Sequence, residues 1–521
     1  MLAITRRFVC TFAAATVAFA GTASAETVLK VALHSDLKII DPMWTTALIS
    51  IHHGNMVFDT LFALDEKLEI KPQMVDKWEV SPDKLTWTFT LRDGLEFHDG
   101  TPVTAADCVA SIKRWAVKDP MGQKLVANTA DLSAADAKTI KLVLKQPYGL
   151  VLDALGKSNA FMMPKRLADT DANTQITDAV GSGPFIFKKD EWKAGEKAVY
   201  VKNPKYKPRS EPASGLAGGK VVKVDRVEWL TLPDTSTQVN ALINGEIDLV
   251  EIVPPDLLPL LAKEKGVKVV VLNTFGRQYA MRFNVLFKPF DNAKVRQAVL
   301  YALDQKEILE ANVGNPAYYK ECKSLFPCGS PLESTKGWED KVSGNVAKGK
   351  QLLAEAGYDG TPVVFLHQTD TSGHNNLATV AKAQLEKIGL KVDLQPMDWQ
   401  TLVSRRAKKD PPDKGGWGAF FTSWGAVDIL NPVVSAFLNA SCDKGTFGWP
   451  CDEAIEKLRD AYAQETDPAK KKAIAEAVQL RVLEYPTHAI LGQFTTPTAV
   501  RSNVNGLLPT TSLALWNIEK K

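Results

Sequence analysis

The sequence predicts an α/β protein with one lobe inserted into another, and three observations carry that expectation. Strand and helix patterns alternate in both halves of the chain. Its 521 residues exceed what one hydrophobic core sustains, so two or three folding units are expected. Extended stretches near Thr274–Phe283 and Ile490–Phe494 bracket the second half, as two crossovers with a hinge would.

Residues 1–25 stand apart from the fold. Arg6-Arg7 forms a basic start, Phe8 to Ala20 an apolar core too short to span as a stable helix, and Ala23-Ser24-Ala25 a signal-peptidase site before Glu26. The general secretory route is expected, because the residues after Arg6-Arg7 match a twin-arginine signal poorly. Cys10 sits too early for a lipoprotein site and reads as a small apolar residue. No later run approaches the roughly 18 apolar residues of a membrane helix, so an exported, soluble protein is expected.

Hydrophobic residues at 45% and charged residues at 24% fit an ordinary globular protein. The net charge of +3 loses Arg6 and Arg7 with the leader, leaving +1, which excludes a nucleic-acid footprint. Cys322 and Cys328 lie six apart and Cys442 and Cys451 nine apart, each pair in a loop, and in an oxidising compartment they read as two local disulfides. Cys108 is left over as a buried small hydrophobe.

Thr27 to Leu33 opens as a strand, followed by the loop HSDLKIIDP. Leu85 to Leu91 alternates Leu, Trp, Phe and Leu with threonines, a period of two with one apolar face. Thr104 to Asp107 resembles a capping box opening a helix toward Trp115, and a second alternating strand follows at Thr139 to Leu144. Residues 181–220, rich in Gly, Pro and Lys, read as an exposed excursion. Val221 to Leu232, Thr235 to Asn244 and Ile247 to Val253 then read as strand, helix and strand. In the second half, helical faces recur at Val295–Leu303, Leu377–Ile388 and Ile474–Val482, with strands at Val363–Leu366 and Leu390–Leu394.

The stretch WGAFFTSWGAVDILNP, 417–432, is apolar and aromatic with a single carboxylate, Asp428. An ionised carboxylate there needs a cation, and no Lys or Arg lies between Lys414 and Lys444. Either Asp428 starts the following helix, for which Asn431 before Pro432 is the better cap, or it anchors a ligand. Enzyme signatures are poor by comparison. Ser81-Pro82-Asp83-Lys84 matches S-x-x-K but reads as a turn, without a K-T-G partner, and neither H-E-x-x-H nor G-x-S-x-G occurs. His52-His53, as strand neighbours, would point apart and make a poor two-ligand metal site.

Several stretches together carry a resemblance. They are WEVSPDKLTWTFTLRDGLEFHDGTPVTAADCVASIKRW at 78–115, GSGPFIFKKDEWKAGE at 181–196, NPKYKPR at 203–209, TQVNALINGEIDLVE at 237–251 and FNVLFKPFDNAKVRQAVLYALDQKEIL at 283–309. AEAGYDG at 354–360 and LEKIGLKVDLQPMDW at 385–399 extend it. The chain resembles the family-5 extracellular solute-binding proteins of peptide/nickel-type ABC importers over nearly all of the mature sequence. The resemblance implies an α/β bilobal periplasmic-binding-protein fold. Its first lobe would comprise 26–50, 183–275 and 492–521, an extra subdomain 51–182, and the second lobe 276–491.

It also implies a monomeric periplasmic protein without cofactor or catalysis. Such a protein captures peptides or a related amine-bearing solute by hinge closure and docks transiently on an inner-membrane permease. A metal chelate, an opine or a sugar is the alternative ligand, and a secreted hydrolase is less favoured. In peptide-binding relatives an aspartate four residues before a proline holds the peptide's ammonium, and Asp428 and Pro432 keep that spacing. Trp424 lies one residue further back than the corresponding tryptophan. Where dipeptide-binding relatives place an arginine for the peptide carboxylate, this chain has His374-Asn375-Asn376, so tight carboxylate clamping is not expected at that point, and His374 is kept only as a ligand-binding candidate. Asp36 falls at a ligand-facing polar position, or is a solvated loop acid. Arg282 and Asn284 reach the cleft or brace the hinge, and Trp399 stacks on ligand or packs in the core.

Overall fold

The computed structural model describes residues 26–45, 47–232, 234–369 and 373–521, so the expected leader, 1–25, lies outside the described residues. Two large sheets form the two lobes. The first has seven strands in the order Phe185–Phe187, Lys197–Lys202, Arg226–Leu230, Val28–Ala32, Leu249–Val250, Thr498–Arg501 and Val267–Val270. Val28–Ala32 runs parallel to both neighbours, with Val31 opposite Leu249 and Ala32 opposite Val250. Parallel neighbours bring the residues after each strand to one edge, the usual place for a ligand in an open α/β sheet.

The second sheet has six strands, ordered Tyr319–Lys320, His488–Phe494, Arg277–Phe283, Ala419–Gly425, Val363–Gln368 and Val392–Met397. The chain leaves the first sheet at Val270, enters the second at Arg277, leaves it at Phe494 and returns at Thr498. The return falls later than the expected boundary at 491, because His488–Phe494 is buried along its whole length and stays in the second sheet.

A third unit is a four-stranded antiparallel sheet, Val75–Val80, Thr86–Leu91, Thr139–Leu144 and Thr129–Ala134, covered by the helix Ala105–Lys118. That helix opens on the expected capping box: the Thr104 hydroxyl accepts from Asp107 N, and the Asp107 carboxylate accepts from Thr104 N at 2.8 Å. This unit also touches the second lobe. Gly149 N donates to Ala463 O at 2.7 Å, and Lys124 Nζ lies 2.6 Å from Asp460 Oδ1.

Three sequence expectations need correcting here. The segment 181–220 is not only a surface excursion, because Phe185–Phe187 and Lys197–Lys202 add two strands to the first sheet. His52 and His53 lie on the helix Leu48–Val57, not on a strand. Asn431 does cap, accepting from Val433 N at 2.9 Å and Val434 N at 3.0 Å, but it opens a turn and then the short 3-10 segment Ala436–Leu438 in place of a full helix. Cys322 is bonded to Cys328 and Cys442 to Cys451. Cys108 is free and buried, and burial raises its thiol pKa. Ser81 to Lys84 forms a tight turn closed by Lys84 N to Ser81 O at 2.8 Å. Among the described residues no helix is long and apolar enough to cross a membrane.

Candidate ligand-binding site

The first-lobe wall is built at the ends of two parallel strands. His34 follows Val28–Ala32 and Glu251 follows Leu249–Val250, so their side chains meet. One Glu251 oxygen accepts from His34 Nδ1 at 2.7 Å and from His34 N at 3.0 Å. The other accepts from His52 Nε2 at 2.8 Å, and His52 Nδ1 lies 2.8 Å from Ser512 Oγ. Burial alone would raise the Glu251 carboxyl, but the His34 and His52 charges and hydrogen bonds overcome it and hold the group well below the usual carboxylate range. For His34, burial pulls the pKa down, the Glu251 charge more than offsets it, and the net shift is upward. The ligating atoms of His34, His52 and Glu251 lie within 4.8 Å of one another, a set of two imidazoles and a carboxylate that can hold a metal ion.

The second-lobe wall comes from the strands Arg277–Phe283 and Ala419–Gly425, paired so that Arg277 faces Gly425. The Arg277 guanidinium donates from Nε to Ser423 Oγ and from Nη2 to Ser423 O, both at 3.0 Å. Nη1 has no hydrogen-bond acceptor among the described residues, and no carboxylate pairs with this arginine. Burial lowers the Arg277 pKa, with Asp428, Tyr279 and Glu251 acting against it. Ser423 Oγ also lies 2.8 Å from His374 Nε2, which brings His374 beside the arginine.

Asp428 ends the short turn Ala426–Asp428 just beyond the same strand. A methyl group added to Gly425 would lie 3.1 Å from Asp428 Oδ2, so the glycine is what lets the carboxylate lie over the strand end. Among the described residues nothing donates a hydrogen bond to Asp428 or forms an ion pair with it. Burial raises its pKa, opposed by the charges of Lys157 and Arg277. Lys157 is itself paired with Asp119 at 2.6 Å. Asp428 lines a small cavity of about 60 Å³ between the second lobe and the third unit, with Lys157, Met121 and Asn431.

The residues expected from sequence divide. Asp428 and His374 belong to this cleft edge. Trp424 neighbours Ser423 on the strand, points to the other face by the period of two, and packs its ring 5.6 Å from Phe437. Arg282 takes the bracing alternative and not the cleft: it is 1% exposed and spends its donors on Phe447 O, Phe437 O, Thr487 O and Thr446 Oγ1. Asn284 does the same, fully buried with Nδ2 donating to Trp417 O at 2.9 Å, so neither residue lines the cleft. Trp399 packs against the cluster of Leu402, Trp417 and Phe420, with Arg406 over its ring. Asp36 accepts from Gly195 N at 2.7 Å and Thr231 Oγ1 at 3.1 Å, so it pins a loop. Arg277, His34, His52 and Glu251 were missed. Their signal was position, since each lies at a strand or helix end facing the interlobe edge, or packs directly on such a residue.

With that geometry in place, similarity to known proteins is decisive. Residues 69–446 match the family described as bacterial extracellular solute-binding proteins, family 5 Middle. The chain belongs to that family. It is 41% identical over 501 residues to the "Probable peptide ABC transporter periplasmic-binding protein y4tO" of Sinorhizobium fredii, covering 95% of this chain and 94% of that one. It is 27% identical over 476 residues to the glutathione-binding protein GsiB of Escherichia coli, covering 89% and 88%. Among solved structures, the binding protein AgaA of A. tumefaciens in complex with agropinic acid superposes with a TM-score of 0.78 at 25% identity, covering 95% of this chain and 99% of that one. DppA of Helicobacter pylori, in complex with the peptide STSA, gives 0.79 at 22% identity, covering 95% and 98%, which supports the two-lobed fold. The family is one of binding proteins, and this solute-binding protein is α/β with two lobes.

Proposed function

We propose that this solute-binding protein captures peptides or a related amine-bearing solute between its lobes and delivers it to an ABC permease in the inner membrane. In this reading the leader 1–25 is removed on export, the mature protein acts as a monomer, and no bond of the ligand is broken. In this reading the lobes follow the two large sheets, with the hinge in 271–276 and 495–497. The observation that supports the reading best is Asp428, a half-buried carboxylate without a protein donor or cation of its own among the described residues. A ligand ammonium supplies what the fold withholds. The family and the peptide-binding name of the 41% identical relative point the same way.

The test is a thermal-shift screen of a peptide library against sugars, opines and nickel chelates, because a bound ligand raises the melting temperature by mass action. Peptides are expected to shift it, and Asp428→Asn to weaken them by about 1.5–3 kcal/mol, the range for a hydrogen bond to a charged group. Unchanged affinity in that variant removes Asp428 from the site. A shift from a sugar or metal chelate with none from peptides overturns the ligand class. The second reading, a metal-chelate ligand, draws on the His34, His52 and Glu251 set.

A further inference from the structure

The cavity at Asp428 is about 60 Å³, against the roughly 300–1,000 Å³ of ordinary small-molecule pockets, so it suits an ammonium and not a ligand's body. A cavity of about 590 Å³ adjoins it, and Ile70 and Asp153 line both. The larger one lies where the third unit meets the second lobe. Trp87, Tyr148 and Leu152 wall it on the third unit, and Thr466 closes it from the turn between the helices Glu453–Gln464 and Pro468–Glu484. The seam is pinned at Gly149, whose N donates to Ala463 O at 2.7 Å and whose O accepts from Lys471 Nζ at 2.8 Å.

The wall is largely apolar, with a few polar groups left unused. The Tyr148 hydroxyl, in a residue 2% exposed, has no hydrogen-bond partner among the described residues, and neither has Trp87 Nε1. Asp153, half-buried on the short helix Val151–Leu155, forms no ion pair and accepts no hydrogen bond from any other described residue. The lysines around it are engaged elsewhere: Lys471 with Gly149 O, Lys157 with Asp119 at 2.6 Å, and Lys84 with Thr466 Oγ1 at 3.0 Å. Burial raises the Asp153 carboxyl, with the Lys471 charge acting against it, so a cation brought within reach supplies a partner that the fold does not. An apolar wall with one unpaired acid matches a side chain that has an aliphatic stem and a cationic tip.

We propose that this cavity receives the side chain next to the ligand's amine and that Asp153 pairs with a cation at its tip, so that the protein favours peptides beginning with lysine or arginine. This deepens the reading above and rests on it. Asp428 takes the amine, the stem lies on Ile70, Trp87 and Leu152, and the tip reaches Asp153 and the Tyr148 hydroxyl. With Thr466 as its cap, a filled cavity touches the third unit and the second lobe at once, which favours the closed form.

The experiment uses tripeptides alike except for a first residue of lysine, norleucine or alanine, titrated into the full mature protein and its Asp153→Asn, Asp153→Glu and Asp428→Asn variants. Apo melting curves confirm that each variant folds. The lysine peptide is expected to bind wild type about tenfold or more tighter than the norleucine peptide, which lacks only the charged tip. Asp153→Asn should abolish that preference while still binding norleucine, and Asp153→Glu should keep part of it. Asp428→Asn should weaken all three peptides alike. Equal binding of the lysine and norleucine peptides by wild type overturns the proposal, and assigns the cavity to an apolar side chain where norleucine still exceeds alanine. A lysine preference that survives Asp153→Asn overturns it too, and either result leaves the Asp428 reading standing. If no peptide binds, the peptide reading fails by itself, and the diamine cadaverine decides the cavity. Cadaverine bound by wild type and lost in Asp153→Asn upholds the cation site, whereas cadaverine unbound, or bound equally by both, overturns it.

Discussion

Acid should weaken this fold, and His53 gives a measurable share of the loss. His53 lies on the helix Leu48–Val57, fully buried, with Nδ1 2.9 Å from the Tyr200 hydroxyl, its ring edge-on to Phe187 and Nε2 without a partner among the described residues. Burial lowers its pKa from 6.5 to about 3. The unfolded chain thus takes up a proton near the ordinary histidine pKa that the folded chain refuses until far lower pH. A depressed histidine contributes stability that is present above the unfolded pKa and is lost as pH falls. At about 1.4 kcal/mol per pH unit, moving from pH ~7.5 to ~5 costs about 2 kcal/mol from this residue. His488, also buried and lowered to about 3, adds a loss of the same sign. His34 acts oppositely, because its raised pKa makes its contribution present at low pH and lost as pH rises. The effect of His53 is therefore isolated by a difference. Urea unfolding of wild type and His53→Phe at both pH values should show the wild type losing about 2 kcal/mol more than the variant. The orphaned Tyr200 hydroxyl costs the variant the same at either pH, so it cancels. Equal losses in the two proteins would refute a neutral, acid-labile His53.

Two further perturbations test how the site is held. Asp41→Asn breaks the buried pair with Arg114, 2.7 Å apart, and weakens an oxygen cluster that accepts from Met43, Trp44 and Ile176 N. A loss of about 3–5 kcal/mol is expected by urea unfolding, and less than about 1 would show that the pair is not what holds this loop. Gly276→Ala puts a methyl group 2.1 Å from Phe494 O in a residue with φ of +66°, where the end of the first crossover packs on the start of the second. It should cost at least about 1–2 kcal/mol of stability and weaken ligand affinity as well. A variant that melts lower but binds normally would place the hinge elsewhere.

Much of the architecture was legible because single faces are buried. Leu85 to Leu91 reads as a strand since Phe89 and Leu91 enter the core while the threonines do not. Thr235 to Asn244 reads as a helix and is one with those bounds, capped by Asp234 and ended by a left-handed Gly245. Phe185–Phe187 and Lys197–Lys202 were hidden because Gly, Pro and Lys surround them, and their pairing with Arg226–Leu230 is a long-range fact. In the site, Asp428 was legible as an acid without a local cation. Sequence leaves Arg282 between cleft and brace, because the carbonyls that satisfy it come from the distant residues 437, 447 and 487.

Arg277 escaped notice because its significance lies in what does not meet it. In the sequence it is one arginine among many, and only the folded chain shows its neighbours spoken for: Ser423 by hydrogen bonds, Glu251 by two histidines, Asp428 set apart beyond Gly425. The same distribution bears on closure. A ligand shifts an open-to-closed equilibrium only through contacts it makes better in the closed state. If Glu251 paired with Arg277 directly, the lobes would hold each other shut without cargo. His34 and His52 occupy Glu251 instead, so its charge is spent within the first lobe. In the proposed reading, a ligand that contacts both lobes supplies the missing attraction, and closure follows from those contacts.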